Sequence, residues 1–249
     1  IWYNLLHIEP LLTAGQLQRF QTTILWVNGV LYPVATCIGI KVLWSVRPVL
    51  ASVCAGGEID AERLSWTQAR TINLPWWALA IAGSCWLMCI PIFLIVLGTS
   101  RESLDSRVYL HLPLSLLIAG SIAVFVGFFF VELAVQKWLF PLLFREAQPA
   151  ETSGAWPLSL RSRGVMGLLS SCVSPIGCLL LLTLEPAALE GRGVWFAVTV
   201  GMWAITFGVV STWASTNLLL EPVHALRRVA ESVRMGKLET RVDVLRADE

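Results

Sequence analysis

The sequence has little charge. Only 14% of its 249 residues are Asp, Glu, Lys or Arg, whereas 56% are hydrophobic. A soluble domain typically carries about 25% charged residues, so this chain lacks the polar side chains that would cover a globular surface. The formal net charge of +1 excludes a protein that binds nucleic acid through bulk positive charge. The composition therefore predicts a membrane protein.

The sequence also lacks a Cys-x-x-Cys motif and the apolar/polar alternation of membrane β-strands. Its apolar runs are long and continuous, which predicts an all-α, polytopic transmembrane helix bundle. The cysteines lie mostly inside these runs, and no neighbouring His or carboxylate completes a metal site, so we interpret them as small buried hydrophobic residues. They are Cys37, Cys54, Cys85, Cys89, Cys172 and Cys178.

Five apolar runs are long enough to cross a bilayer, which takes about 20 residues. They lie at about 22–46, 74–98, 109–138, 164–184 and 194–220. The opening IWYNLLHIEP is typical of the outer end of a further span, and no signal-peptide pattern precedes the first run. We therefore predict that residues 1–220 are a bundle whose full-length form has six helices, the first truncated here.

Lys and Arg indicate the orientation of these spans. With the C-terminus in the cytoplasm, fourteen of the eighteen Lys and Arg residues lie on the inner side and four on the outer side. This bias predicts a multi-pass protein of the inner (plasma) membrane. The outer loops at 99–108 and 185–193 are too short for a folded sensor domain, so a stimulus must reach the helices from the bilayer or from a shallow outer pocket.

The first inner loop contains a short amphipathic pattern. Asp60 is placed to cap a helix, and Leu64 and Ile72 recur on one face that we expect to contact the membrane. Pro75 then suits the first turn of the next span. The second inner loop, REAQPAETSGAWPLSLRSR, is rich in Pro, Ser and small residues and predicts an irregular connection.

Glu132 is the intramembrane polar residue that we single out. It lies within FFFVELAVQKWLF, near the inner end of its span, where a carboxylate is costly and hence a functional candidate. It could pair with Lys137 or with Lys41 of another helix. The alternative is a purely structural ion pair, or a carboxylate at the level of the lipid headgroups, and the sequence leaves both readings open.

Small residues and prolines predict how the spans pack and bend. Ala119, Ala123 and Gly127 are spaced four apart, which permits another helix to approach closely. Proline inside a helix removes one backbone hydrogen bond, so three prolines should bend their spans. These are Pro33, Pro91 and Pro175.

The closing stretch, EPVHALRRVAESVRMGKLETRVDVLRADE, differs from the rest because it is polar. After Pro222, apolar residues including Leu226 and Val233 recur every three to four positions, as in the seam of a short coiled coil. Gly236 is placed to end that helix. An extended connector containing Leu238 follows, and the acidic pair at the end would open a second helix through its favourable interaction with the helix dipole. That pair is Asp248 and Glu249.

This stretch resembles the first half of a HAMP domain, the parallel four-helix module of dimeric transmembrane receptors. The match rests on Pro222, Leu226, the Gly-Lys-Leu turn at 236–238, Val242 and Val244, and the acidic pair Asp248 and Glu249. The resemblance implies that residues 221–249 are the N-terminal half of a cytoplasmic HAMP domain. It also implies a homodimer in which Pro222, Leu226, Val233, Gly236, Leu238, Asp248 and Glu249 transmit a signal.

The apolar part is similar to the six-helix membrane region of bacterial adenylate and guanylate cyclases that carry a HAMP domain. The similarity rests on YNLLHI, LTAGQLQRF, ARTINLPWW, YLHLPLSLLIAGSIAVFVGFFFVE and PLSLRSRG. It implies a class III cyclase domain beyond Glu249 that uses ATP or GTP and divalent metal. This segment itself would hold no cofactor and no catalytic residue.

Two other functions remain open from the sequence. The same module could serve a sensor histidine kinase, a phosphatase or a diguanylate cyclase, since HAMP domains precede many outputs. A transporter with an incidental tail is the second alternative, although no span carries several ionisable groups on one stripe. The expected partners are membrane lipids, a second copy of the chain and an apolar or lipid ligand, with no nucleic acid.

Overall fold

In the computed structural model of the chain, the described residues are 4, 8–57, 59–100, 102–144, 152–157, 165–166, 168–169, 172, 174–183, 194–195, 197–210 and 212–213. These residues form helices, turns and loops and contain no strand. The all-α fold predicted from the sequence is thereby confirmed for them.

The first long helix runs from Ala14 to Cys54. A short 3-10 turn, Glu9–Leu11, precedes it, and the helix itself comprises α1 (Ala14–Trp26), a π-helical segment (Val27–Leu31), α2 (Tyr32–Trp44) and α3 (Arg47–Cys54). Thr13 starts α1 through a capping box. Its hydroxyl oxygen accepts a hydrogen bond from the Gln16 backbone N–H (3.4 Å), and its own N–H donates to Gln16 Oε1 (3.1 Å).

The remaining helices follow in chain order. An amphipathic helix α4 (Ala61–Ile72) leads into α5 (Leu74–Gly98), and α6 (Ser106–Ala134) continues through a second π-helical segment (Val135–Leu139) into α7 (Phe140–Leu143). Two shorter helices complete the described part, namely α8 (Ser174–Thr183) and α9 (Ala197–Val210).

Three of these helices are long and apolar enough to cross a membrane: Ala14–Cys54, Leu74–Gly98 and Ser106–Leu143. They overlap the predicted spans 22–46, 74–98 and 109–138. The predicted spans 164–184 and 194–220 extend outside the described residues, and their described parts include α8 and α9. The predicted HAMP segment at 221–249 lies wholly outside the described residues.

Each of the two π-helical segments named above ends two residues before a proline. The Tyr32 N–H donates to the Val27 carbonyl and the Phe140 N–H donates to the Val135 carbonyl, each five residues back. Pro33 follows the first segment and the second is followed by the proline of the Phe-Pro-Leu-Leu helix α7. A proline ring would clash with the carbonyl four residues earlier, and the wider π turn relieves that clash. The sequence predicted a bend at Pro33, and the structure adds the π-helical register.

Helix α5 contacts α1, α2 and α6, and α8 packs against α6. Phe207 of α9 also reaches α6, where its ring meets Phe129 edge-on at a centroid distance of 6.3 Å. Apolar core clusters form where these helices meet. The first lies where α1, α5 and α6 meet and includes Phe20, Phe93 and Leu112.

The second core cluster is built where α2, the end of α4, the start of α5, the second π-helical segment and α7 come together. Its buried residues are Val42, Ile72, Leu74, Val135, Phe140, Leu143 and Phe144. Leu64 packs against this cluster as a partly buried residue. The prediction that Leu64 and Ile72 contact the membrane is therefore wrong, because the apolar face of α4 packs on the protein instead. Asp60 lies at the predicted N-cap position, but its side chain makes no capping hydrogen bond.

Close approach between α5 and α6 occurs at Gly120 and not at Gly127. A Cβ built on Gly120 would lie 3.1 Å from three carbons of Trp86, whereas one built on Gly127 would have no atom within 4 Å. No described helix approaches Gly127 closely, because Gly120 faces α5 and Gly127 is exposed.

Candidate functional site

Glu132 is the one predicted site residue that the structure locates. The seven predicted signal-transmission residues lie outside the described residues. They are Pro222, Leu226, Val233, Gly236, Leu238, Asp248 and Glu249. The geometry of the candidate site is therefore the geometry around Glu132, at the end of α6.

Glu132 is buried, with 5% of its surface exposed, although a carboxylate is costly to bury. Its Oε1 accepts a hydrogen bond from Gln136 Nε2 at 3.1 Å. The two residues are four apart, and such residues share a face of a helix. Gln136 belongs to the π-helical segment Val135–Leu139, so this hydrogen bond connects α6 to the irregular turn that follows it.

The predicted ion pair between Glu132 and Lys137 or Lys41 is not formed among these described residues. Both lysine side chains are exposed, whereas Glu132 points into the bundle. Five residues along a helix separate Glu132 from Lys137, which places the two on different faces. Exposed lysines near the ends of spans can extend their ammonium groups to the membrane surface.

A second polar residue, Gln68, connects α4 to the same end of the bundle. Its Nε2 donates a buried hydrogen bond to the Leu143 carbonyl oxygen at 2.8 Å. This carbonyl lies in the last turn of α7, where backbone acceptors have no partner within the helix. The amide of Gln68 satisfies one of them and fixes α4 across the second core cluster.

Sequence reasoning missed Gln68, although a signal existed. Leu64, Gln68 and Ile72 are spaced four apart, so Gln68 lies in the middle of the apolar face of α4. A polar residue in that position is expected to be buried with a partner. Gln136 could have been found in the same way, four residues after Glu132.

This site is a hydrogen-bonded joint between helices. The Glu132–Gln136 contact spans the change from α-helix to π-helix, and the Gln68–Leu143 contact ties the helix end to α4. Within the part of the chain that the structure describes, no group of three or more His, Cys, Asp or Glu side chains could hold a metal ion. The two hydrogen bonds link α6 and its continuation to α4, the helix that leads into α5.

A scan against protein-family models, a search of curated proteins and a search of solved structures find no match for this chain. Its function is therefore inferred from its own residues and their geometry.

Proposed function

We propose that this chain is the membrane sensor, dimerisation and signal-transmitting module of a receptor with a HAMP domain, whose output is a cytoplasmic nucleotide cyclase. The observation that carries the proposal is the HAMP-like pattern of residues 221–249, which follows the last apolar run without a break. The three long apolar helices supply the membrane part that such a receptor requires.

The proposed mechanism is mechanical. A HAMP helix that continues from the run at 194–220 must move when that run shifts or rotates. In a homodimer, the seam that contains Leu226 and Val233 can pack in two arrangements of similar energy. A stimulus shifts the balance by its differential affinity for the two arrangements, and such coupling is typically about 1–3 kcal/mol.

The residues after the seam connect its change in packing to the output domain. Gly236 ends the first HAMP helix, and Leu238 belongs to the connector that would pack beside it. Asp248 and Glu249 open the second helix, which leads to the output domain. An active site formed between two cyclase domains would respond directly to a change in how the seam packs. Divalent metal and ATP or GTP belong to that output domain.

The described helices support a stimulus that acts within the bilayer or close to its surface. Helix α6 contacts α5, α8 and α9, so it is a central element through which a displacement can spread. The joint at Glu132 and Gln68 lies at the end of this helix. We place that end in the cytoplasmic half of the membrane, in agreement with the excess of Lys and Arg on the inner side.

Insertions test the coupling. One, two, three or four alanines would be inserted after Leu220 of the full-length polypeptide, and cyclic AMP and cyclic GMP formation would be measured in isolated membranes. Each residue rotates the following helix by about 100°, so inserts of one to three residues should change the size or sign of regulation. An insert of four residues adds about one full turn and should restore most of the normal regulation.

The control places the same inserts after Ser103, in an exposed loop between the second and third long helices. These variants should keep normal regulation. If no insert after Leu220 changed the regulation of cyclic-nucleotide formation, this result would contradict the coupling. Phosphoryl transfer to a protein histidine in place of cyclic nucleotide would assign a kinase output, and solute flux in reconstituted vesicles would favour a transporter.

A further inference from the structure

A cleft of about 890 Å³ opens beside α4 and the first turns of α5. Its lining includes one cation, Arg70, and four indole rings, those of Trp66, Trp76, Trp77 and Trp156. Neither the HAMP pattern nor the joint at Glu132 involves these residues. The cleft is a separate feature with its own chemistry.

The guanidinium of Arg70 is stacked against indole rings. Its central carbon lies 4.5 Å from the ring centroid of Trp77 and 5.9 Å from that of Trp66. Stacking occupies the faces of the guanidinium and leaves its in-plane N–H groups for hydrogen-bond acceptors.

No acceptor is provided by the described residues. Arg70 makes no hydrogen bond or ion pair with them, and its Nε is buried without a partner. A buried N–H group without an acceptor is costly. An anion in the open cleft would accept hydrogen bonds from the terminal nitrogens of Arg70 and neutralise its charge.

The opposite wall of the cleft is held in place by hydrogen bonds. Asn73 Oδ1 accepts from the Trp156 backbone N–H at 2.7 Å, and Asn73 Nδ2 donates to the Gly154 carbonyl at 3.1 Å. Trp76 Nε1 also donates to the Trp156 carbonyl at 2.8 Å. Gly154 has a φ of +75°, which glycine adopts readily in such a turn. The cleft is therefore largely preformed, as ligand sites usually are.

The position of the cleft restricts its occupant. It lies at the start of the apolar helix Leu74–Gly98, where indole rings are typical of the membrane–water interface. Trp66 and Trp77 are 54% and 42% exposed and offer apolar surface beside the cation. The carboxylate that lines the cleft, Glu62, is exposed and lies eight residues from Arg70, about 12 Å along α4. One end of the cleft therefore suits a phosphate and its surroundings suit acyl chains.

We propose that this cleft binds the phosphate group of an anionic phospholipid from the adjacent leaflet. Arg70 donates hydrogen bonds to the phosphate oxygens, and the rings of Trp66 and Trp77 contact the glycerol and the upper acyl chain. Free phosphate would accept the same hydrogen bonds from Arg70, but it has no glycerol or acyl chain to contact the rings. The proposal relies on the membrane placement of the proposed function but not on the HAMP domain or the output.

The test uses the intact chain, purified in an uncharged detergent and titrated with dioctanoyl phosphatidylglycerol. Bound lipid would be counted by native mass spectrometry. The variant Arg70→Gln should lower the affinity about tenfold, as expected for the loss of a charged hydrogen bond. The matched control is Arg63→Gln, which removes the same charge from an exposed position of the same helix outside the cleft. It should leave the affinity unchanged.

Further variants keep the test decisive if Arg70→Gln fails to fold. Arg70→Lys keeps the charge but loses the planar fork, and it should weaken binding severalfold. Trp77→Ala should weaken binding of the lipid but not of inorganic phosphate. Equal losses in the Arg63 and Arg70 variants would show general surface attraction and overturn the proposal. Inorganic phosphate that binds as tightly as the lipid would also overturn it, in favour of a small-anion site. Either failure would leave the insertion experiment on the HAMP coupling unaffected.

Discussion

Gln68 and Leu143 are joined by a buried hydrogen bond, with 2.8 Å between Gln68 Nε2 and the Leu143 carbonyl oxygen. The two residues are far apart in the chain, one on the amphipathic helix α4 and the other at the end of the third long helix. Their contact makes α4 part of the bundle. This hydrogen bond links the end of the long helix to the helix that leads into Leu74–Gly98.

We expect Gln68→Leu to destabilise this junction. The substitution preserves most of the side-chain volume but leaves the Leu143 carbonyl without its partner, which typically costs about 1–3 kcal/mol. The midpoint of thermal unfolding in detergent, followed by tryptophan fluorescence, should fall. Gln18→Leu is the control, because Gln18 is exposed on α1. An unchanged midpoint for Gln68→Leu would contradict a structural role for the hydrogen bond.

Gly120 should not tolerate a larger side chain. A Cβ at this position would already lie 3.1 Å from Trp86, so Gly120→Leu forces α5 and α6 apart. Overpacking of this kind typically costs about 1–3 kcal/mol. Gly127→Leu is the matched control on the same helix, since a Cβ there meets no described atom within 4 Å. Equal unfolding midpoints for the two variants would show that the close approach is not required.

Asp105 caps α6 and should titrate at low pH. Hydrogen bonds from the Arg107 side chain and backbone N–H hold the pKa of this carboxyl below its ordinary value. Its stabilising effect is therefore complete above the ordinary pKa of aspartate, about 3.9. It is lost as the pH falls through the lowered pKa of the folded state. The cap that Asp105 forms should therefore be insensitive to pH in the neutral range.

A carboxyl-carbon NMR titration of labelled protein measures this pKa. Arg107→Gln should raise the pKa of Asp105 towards its ordinary value. Arg19→Gln is the control, because Arg19 donates instead to Thr99 and to the Val96 carbonyl. If the pKa of Asp105 were unchanged in Arg107→Gln, the side chain of Arg107 would not be the group that lowers it.

The sequence predicted the long helices because apolar runs of that length have few other structures available. The run at 74–98 coincides with the helix Leu74–Gly98. Hydropathy could not predict which face of α4 is buried, because the same amphipathic pattern fits a lipid surface and a protein core. Ile72 shares a buried cluster with Val42 and Phe140, and only the tertiary fold brings those residues together.

The candidate site was predictable only in part. The burial of Glu132 followed from its place in an apolar run, but its partner did not, since Lys137 is the more obvious choice by charge. The π-helical segment brings in Gln136 instead. In the sequence, nothing distinguishes Arg70 from the other Lys and Arg residues. Its stacking on Trp77 depends on the turn at Asn73 between α4 and α5.

Disulfide crosslinking of the HAMP seam is the most direct measurement of the central claim, that the chain forms a parallel homodimer with one continuous signalling helix. The six native cysteines would be replaced by alanine, and single cysteines would be introduced as Leu226→Cys, Val233→Cys or Arg228→Cys before oxidation in native membranes. In a parallel dimer the seam residues meet their counterparts within disulfide distance. Leu226→Cys and Val233→Cys should therefore give covalent dimers rapidly, and Arg228→Cys should not. Equal crosslinking at all three positions, or monomers throughout, would contradict the account.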